Sequence, residues 1–317
     1  MTVHAADQLQ SVIDQTKSIA CVGLDPRPAL LPPAVKQAAI AAHGDNADAV
    51  ASAFLAFNRG LLDAVAGHCA AVKPQSACYE AYGWAGVKAL EDTVRHARSL
   101  GIPVIMDAKR GDIGSTAEHY QQAFLGRAPG LSGVALPGLG CEWLTINGYL
   151  GSDGVMPFLG KTPGTGGVFV LVKTSNPSSG ELQDVRVASD VRCPMSDVDA
   201  QAVMEVTAQL VRAWGAKRVG ACGMNDVGAV VGATYPDQAR RLRTLMPDTI
   251  FLIPGYGAQG GTAADALAGA RSDGRGAIVN SSRGIIGAWQ QPNAGSDWAG
   301  AARGALDAMN ADLAKAR

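Results

Sequence analysis

Short apolar runs alternate with amphipathic stretches along most of this chain of 317 residues. Each run has the length and composition of a buried strand, and apolar residues at helical spacing follow most of them. The eight runs span residues 19–25, 69–73, 103–109, 133–137, 167–175, 227–234, 249–254 and 276–280. Eight strand–helix units with no repeated sequence predict an α/β fold of parallel strands, the (β/α)₈ TIM barrel. A doubly wound sheet is the alternative, but no G-x-G-x-x-G follows the first strand.

The stretches between the strands carry helix signals. Gly101 is placed to cap one helix at its C-terminus, and Pro236 stands in the first turn of another. The predicted helices span residues 49–65, 87–100, 200–214 and 235–245, and a final helix lies within residues 293–317.

Two segments fall outside the strand–helix repeat. Residues 27–48 carry several prolines and a short helix, and residues 176–199 predict a polar, mobile loop on the catalytic face. No shift in composition marks a domain boundary. We therefore predict a single barrel domain over residues 1–317, with its active site at the carboxyl ends of the strands.

Charged side chains stand where three of the predicted strands end. Asp107 and Lys109 end the third strand, and their spacing of two residues puts them on the same face. Asp25 ends the first strand and Lys73 ends the second. Because parallel neighbours share one edge, we expect these four groups to form an alternating Asp–Lys network. Burying four charges is costly unless each is paired, so such clusters are more often catalytic than structural.

The composition argues against several classes of function. A net charge of −1 gives no electrostatic footprint for nucleic acid or for an anionic membrane. No apolar run is long enough to span a bilayer, and residues 1–17 lack the pattern of a secretory signal. The six cysteines are scattered without a C-x-x-C, and we interpret them as thiols of a reducing compartment, with the cytoplasm as the expected location.

Two glycine-rich turns near the end of the chain predict a phosphate site. The seventh strand is followed by residues 254–261, which read P-G-Y-G-A-Q-G-G, and the eighth by Ser282-Arg283-Gly284. Glycine turns expose backbone N–H groups, and a guanidinium suits a phosphate dianion. In barrels, the loops after strands seven and eight are the usual phosphate site.

Taken together, these motifs resemble the orotidine 5′-phosphate decarboxylase family, in its longer bacterial branch. The family carries D-x-K-x-x-D-I after its third strand, an Asp after its first, a Lys after its second, P-G-x-G-A-Q-G-G after its seventh and an Arg after its eighth. The matching positions here are Asp107, Lys109, Asp112, Ile113, Asp25, Lys73, residues 254–261 and Arg283.

The resemblance implies conversion of orotidine 5′-phosphate into uridine 5′-phosphate and CO₂, the last step of de novo UMP biosynthesis, with no cofactor or metal. Lys109 would stabilise and protonate a carbanion beside Asp107, whose charge would disfavour the substrate carboxylate. The implied catalytic residues are Lys73, Asp107, Lys109 and Asp112. The implied substrate-binding residues are Asp25, Ile113, Thr116, Ser175, Gly257, Gln259, Arg283 and Gly284, with Thr174 and Asn176 as further candidates beside Ser175.

The resemblance also implies a homodimer in which Asp112 enters the partner's active site. The local sequence is compatible with this, because Arg110-Gly111 turns the chain away from the third strand. Asp112 therefore need not join the cluster of its own chain.

Three other functions remain open on the sequence. A metal-dependent sugar-phosphate enzyme, such as a hexulose-phosphate synthase, would carry a Glu ligand where this chain has Lys73. A Schiff-base aldolase would need a lysine of lowered pKa, whereas flanking carboxylates would keep Lys109 protonated. A non-enzymatic phosphate-binding barrel would not need the cluster of four charges.

Overall fold

Eight parallel strands form one closed sheet in the computed structural model, which describes residues 3–160, 162–187, 201–292 and 296–317. The barrel strands are β1 Ala20–Leu24, β2 Ala71–Pro74, β3 Ile105–Arg110, β4 Trp143–Ile146, β5 Gly167–Lys173, β6 Val227–Val231, β7 Phe251–Ile253 and β8 Ala277–Ser281. Their hydrogen-bonded order is β2-β1-β8-β7-β6-β5-β4-β3. Parallel bridges from Val72 to Val104 and from Gln75 to Asp107 join β2 to β3 and close the cylinder. The predicted TIM barrel is thus confirmed.

The fourth strand lies elsewhere than the pattern predicts. Within the apolar run 133–137, Ala135–Pro137 pairs antiparallel with Arg127–Pro129 in a hairpin outside the barrel. Val134 and Leu136 are 61% and 52% exposed, so this run is apolar without being buried. The barrel strand β4 is fully buried, but Thr145 interrupts its apolar character and conceals it in the sequence.

Helices lie around the barrel and at its ends. They are α1 Ala5–Thr16, α2 Pro33–His43, α3 Ala47–Val65, α4 Ser76–Glu80, α5 Gly83–Ser99, α6 Gly114–Phe124, α7 Gly180–Gln183, α8 Val203–Gly215, α9 Pro236–Leu245, α10 Ala263–Leu267, α11 Arg283–Ile286 and α12 Trp298–Lys315. The predicted helices correspond to α3, α5, α8, α9 and α12. Among the described residues, no helix is long and apolar enough to cross a membrane.

Local signals set the ends of several helices. Asn46 accepts a hydrogen bond from the backbone N–H of Ala49 and so caps the start of α3. Pro236 opens α9, and Gly101 follows α5 with a φ of 73°, as predicted from the sequence. Residues 188–199 of the predicted mobile loop at 176–199 lie outside the described residues. The same holds for residue 200, where the predicted helix 200–214 begins, and for residues 293–295, where the predicted final segment begins.

Strand residues alternate between two apolar layers. Cys21, Ile105 and Phe169 belong to an inner layer that fills the barrel, where the rings of Trp143 and Phe169 lie 4.6 Å apart. Neighbouring strand residues such as Val22, Val104 and Val168 face outward into a second layer shared with the helices. Fully burying a side chain of this kind contributes about 1.5–3 kcal/mol, so the two layers hold the strand ends in fixed places.

Candidate active site

The carboxyl ends of β1, β2 and β3 lie side by side. The strand register places Gly23 opposite Lys73, and the backbone N–H of Gln75 donates to the carbonyl of Leu24. As a result, Asp25, Lys73, Asp107 and Lys109 all line one cavity of about 510 Å³. The structure therefore brings together the four charged residues that the sequence places at strand ends.

Asp107 is the centre of this cluster. The Nζ atoms of Lys73 and Lys109 lie 2.5 Å from Oδ2 and Oδ1 of its carboxylate, respectively. Thr145 Oγ1 donates to Oδ1 at 2.9 Å and Gln75 Nε2 donates to Oδ2 at 3.2 Å. Burial alone would raise the pKa of Asp107, but the two ammonium groups outweigh it and hold the pKa well below its usual value. Asp107 is consequently a carboxylate at neutral pH.

Lys73 is buried between two carboxylates. Burial alone would lower the pKa of Lys73, but the charges of Asp107 and then Asp25 outweigh it and raise the pKa. On the other side, Oδ1 of Asp25 is buried and has no hydrogen-bond partner among the described residues. An unpaired buried acceptor is costly, so this oxygen is available to a hydroxyl group of a ligand.

Lys109 has a left-handed backbone, with a φ of 48°. In a residue other than glycine this conformation costs about 1–3 kcal/mol and persists only where the surrounding structure holds it. The pairing of β3 with β4 shifts register between Met106 and Arg110, and the backbone N–H of Lys109 donates to Thr145 Oγ1 at 3.0 Å. The irregular strand end directs the half-exposed side chain of Lys109 into the cavity, back towards Asp107.

Arg110 anchors this strained strand end. Its guanidinium carbon lies 5.6 Å from the centre of the Tyr120 ring and 5.5 Å from that of Phe124, both on α6. It also forms an ion pair with Glu80 at the end of α4. Through these contacts Arg110 fixes the end of β3, next to Lys109, against two helices. The sequence does not reveal this role.

A second cavity of about 380 Å³ adjoins the first, sharing with it Asp25, Gln259, Asn280 and Ser282. Arg27 and Arg283 line it, and Arg283 is exposed and forms no salt bridge within the described part of the chain. In the loop after β7, Gly255, Gly257 and Gly260 have φ values of 102°, 69° and 96°, a region that favours glycine. Gly257 and Gly284 do not themselves line either cavity; Gly257 shapes the turn, its N–H donating to the carbonyl of Gly261.

Asp112, Ile113 and Thr116 lie apart from both cavities. Asp112 Oδ1 accepts a hydrogen bond from the N–H of Ile113, whose side chain is 53% exposed, and Thr116 is exposed on α6. Ile113 instead lines a shallow depression with Met156, close in sequence to the exposed Tyr149 and Leu150. Within a single chain, the structure does not bring Asp112 to the cluster of four charges.

The loop after β5 forms the opposite wall of the first cavity. Thr174, Ser175 and Asn176 all line this wall, together with Ser179 and Gln183. Since the second cavity holds the guanidinium groups, the two ends of the combined cleft differ in character. One end offers cations to an anion, and the other offers hydroxyl and amide groups to a neutral polar group.

Several residues of the site escape prediction from the sequence. Gln75 directly follows the predicted strand end Lys73-Pro74. Its position next to a strand end is the feature from which a role in the site could be predicted. Thr145 escapes because the apolar run at 133–137 predicts the fourth strand at the wrong place in the chain. Asn280 stands out as a buried polar residue that follows three apolar residues of β8, and its Oδ1 has no partner among the described residues.

Comparisons with known proteins identify relatives of this chain. The model of the orotidine 5′-phosphate decarboxylase / HUMPS family matches residues 20–296. A protein of Rhodopirellula baltica named orotidine 5′-phosphate decarboxylase is 42% identical over 97% of this chain and 98% of its own length. The structure of Leishmania donovani OMP decarboxylase is 31% identical with a TM-score of 0.70, covering 98% of this chain and 99% of that one. The structure of Leishmania donovani UMP synthase is also 31% identical, with a TM-score of 0.73 over 99% of this chain, which spans only 57% of that protein.

Proposed function

The chain belongs to the orotidine 5′-phosphate decarboxylase / HUMPS family, and we propose that it decarboxylates orotidine 5′-phosphate without a cofactor, using Lys109 as the proton donor. It is an enzyme of the carboxy-lyase class, and its reaction belongs to pyrimidine biosynthesis. The observation that carries the proposed mechanism is the Asp107 carboxylate held between the ammonium groups of Lys73 and Lys109, each at 2.5 Å.

The chemistry follows from the charges in the first cavity. The bond between the pyrimidine ring and its carboxylate breaks, CO₂ leaves, and the electron pair stays on the ring carbon as a carbanion. The ammonium of Lys109 stabilises this developing negative charge and then transfers a proton to the carbon, giving uridine 5′-phosphate. A cation fixed in place before the reaction is worth more than a mobile one, because no reorganisation is needed at the transition state.

Asp107 and Lys73 both promote the loss of CO₂, but in different ways. Asp107 stays ionised beside Lys73, so its charge would repel the substrate carboxylate in the ground state and favour its departure as neutral CO₂. Lys73 keeps Asp107 charged and in position, since it is itself buried and protonated. The unpartnered Oδ1 of Asp25 is available to a ribose hydroxyl.

The second cavity supplies binding energy away from the reacting carbon. Arg283 and Gln259 would hold the phosphate, with the glycine turn after β7 allowing close approach. Binding energy from a remote group can be used to reach the transition state, so these contacts should affect kcat/KM as well as KM.

The rivals on the same fold fit the site less well. In place of a Glu ligand for a metal, Lys73 at the end of β2 presents an ammonium group, which cannot coordinate a cation. A Schiff-base lysine must present a free amine to its substrate, whereas the Nζ atoms of Lys73 and Lys109 both lie in ion pairs, 2.5 Å from the Asp107 carboxylate. Both observations favour decarboxylation over a metal-dependent or Schiff-base reaction.

We expect turnover of orotidine 5′-phosphate to be the same with and without EDTA, because the proposed chemistry needs only side chains. The measurement is the loss of substrate absorbance by the full chain, with an arm in which Mg²⁺ is added back. A rate that disappears in EDTA and returns with Mg²⁺ would contradict the cofactor-free mechanism. No turnover in any arm would contradict the proposed function itself.

We expect Arg283→Ala to raise KM strongly and to lower kcat/KM. Loss of charge-assisted hydrogen bonds to a phosphate should cost about 1.5–3 kcal/mol, or roughly 10- to 150-fold. Steady-state kinetics with orotidine 5′-phosphate measure the loss, and orotidine, which lacks the phosphate, is the matched control substrate. Equal losses on both substrates, or no loss on either, would place the phosphate elsewhere.

The quaternary structure and the location follow as further parts of the proposal. Asp112 lies outside both cavities of its own chain and directly precedes Ile113, an exposed apolar residue that lines a depression with the exposed Met156. A homodimer that buries this surface would bring Asp112 of each chain to its partner's site. The five cysteines in the described residues are free thiols, which supports a cytoplasmic enzyme.

A further inference from the structure

Lys173 ends β5 with a side chain that is fully buried, yet it has no part in the reaction proposed above. Its Nζ lies 2.8 Å from each carboxylate oxygen of Asp184 and 4.2 Å from the centre of the Tyr235 ring. Asp184 follows α7, whereas Tyr235 precedes α9 beyond β6. A buried ammonium is tolerated only with such partners, so Lys173 holds two loops against the end of the barrel.

The first of these loops, residues 174–184, is called here the strand-five loop. Its two ends are tied together directly beside the ion pair of Lys173 with Asp184. The backbone N–H of Thr174 donates to Gln183 Oε1 at 3.0 Å, and Gln183 Nε2 donates to Thr174 Oγ1 at 2.9 Å. The side chains between these ends line the cavity: Ser175, Asn176, Ser178, Ser179 and Leu182.

The loop after β6 also contacts the strand-five loop through hydrogen bonds. The Tyr235 hydroxyl accepts a hydrogen bond from Ser179 Oγ at 3.3 Å and donates to the carbonyl of Asn176 at 3.4 Å. Gln238 on α9 adds a hydrogen bond to Asp184 Oδ1 at 3.0 Å. At Gly232, a Cβ atom would lie 2.9 Å from the Cα of Ser175, so the close approach of the two backbones needs glycine.

We propose that Lys173 is a positioning residue for recognition of the pyrimidine base: with Asp184 and Tyr235 it fixes the strand-five loop as the cavity wall that contacts the ring. This inference rests on the proposed function, because the ring must belong to the substrate named there. The residues that line the phosphate cavity include no member of this network. Lys173 should therefore act on affinity for the base and leave affinity for the phosphate unchanged.

The test compares two ligands that differ in the base. Binding of UMP and of ribose 5-phosphate to the full chain is measured by titration calorimetry for the wild type, Lys173→Met and Asp184→Asn. Methionine has a similar length without the charge. We expect Lys173→Met to weaken UMP binding by about tenfold, the loss expected when one or two hydrogen bonds between the loop and the ring are no longer made. Asp184→Asn should act in the same direction with a smaller loss, and ribose 5-phosphate should bind both variants as it binds the wild type.

Glu181→Gln is the matched control, because it removes one carboxylate from the same loop. Glu181 is exposed and makes no salt bridge with any residue that the structure describes, so its variant should bind both ligands normally. If Lys173→Met does not fold, as judged by circular dichroism, Asp184→Asn decides the question, since Asp184 is 38% exposed and its loop position tolerates substitution better. Unchanged UMP binding in the folded variants, or equal losses for the two ligands, would overturn the inference. A wild-type chain that binds ribose 5-phosphate but not UMP would refute the proposed function instead.

Discussion

Lys109→Ala should nearly abolish decarboxylation while UMP binding is largely retained. Proton transfer from a positioned acid contributes about 10²–10⁴ in rate, and loss of a fixed charge partner for the carbanion adds to that. Binding should survive because the second cavity is the proposed phosphate site, and because Asp107 keeps its hydrogen bonds from Lys73, Thr145 and Gln75. The measurement is kcat for orotidine 5′-phosphate together with the Kd for UMP.

Lys109→Arg is the matched variant that separates the two roles of the lysine. A guanidinium keeps the positive charge but is a very poor proton donor, because its pKa lies far above that of a lysine ammonium. If Lys109 both stabilises and protonates the carbanion, the arginine variant should stay far below the wild type. Near-normal turnover in the alanine variant would remove Lys109 from the mechanism, and near-normal turnover in the arginine variant would leave it only the electrostatic role.

Most of the charged cluster can be predicted from the sequence, because the end of each apolar run marks the end of a strand. Asp25, Lys73 and Asp107 each follow or end an apolar run, and parallel neighbours must share an edge, so their convergence could be predicted without coordinates. The proposed phosphate cavity is equally visible, because the turn after β7 needs glycine at particular positions and Arg283 stands two residues after β8. In both cases the functional signal is local in the chain.

Residues whose partners are distant in sequence could not be found in this way. Thr145 cannot be found from the sequence because the exposed hairpin at 133–137 has the apolar pattern of a buried strand, and Thr145 itself breaks the apolar pattern of β4. Lys173 is indistinguishable from the polar end of an apolar run, and no periodicity connects it to Asp184, eleven residues later. The left-handed backbone of Lys109 is likewise set by its contact with β4 and by the anchoring of Arg110, not by its own residue type.

Mixing two inactive variants should restore activity if Asp112 serves the partner's site. Suppose that Lys109→Ala and Asp112→Ala are each nearly inactive as homodimers. In their heterodimer, one site collects both lesions, and the other receives an intact Lys109 from one chain and an intact Asp112 from its partner. A random 1:1 mixture contains half heterodimers with one good site in two, so about a quarter of the wild-type activity should return. The two chains carry different affinity tags, and activity is measured after conditions that allow subunits to exchange.

Lys109→Ala mixed with Asp107→Asn is the control pair. Asp107 and Lys109 are in contact within one chain, so each site of that heterodimer keeps one lesion and no activity should return. Recovery in the first mixture but not in the second would therefore require Asp112 to cross the interface, because simple stabilisation by mixing would rescue both. If tagged heterodimers form and the first mixture stays inactive, Asp112 acts within its own chain. If the chain does not dimerise at all, the shared site is excluded outright, and the position of Asp112 outside both cavities must have a cause within the monomer.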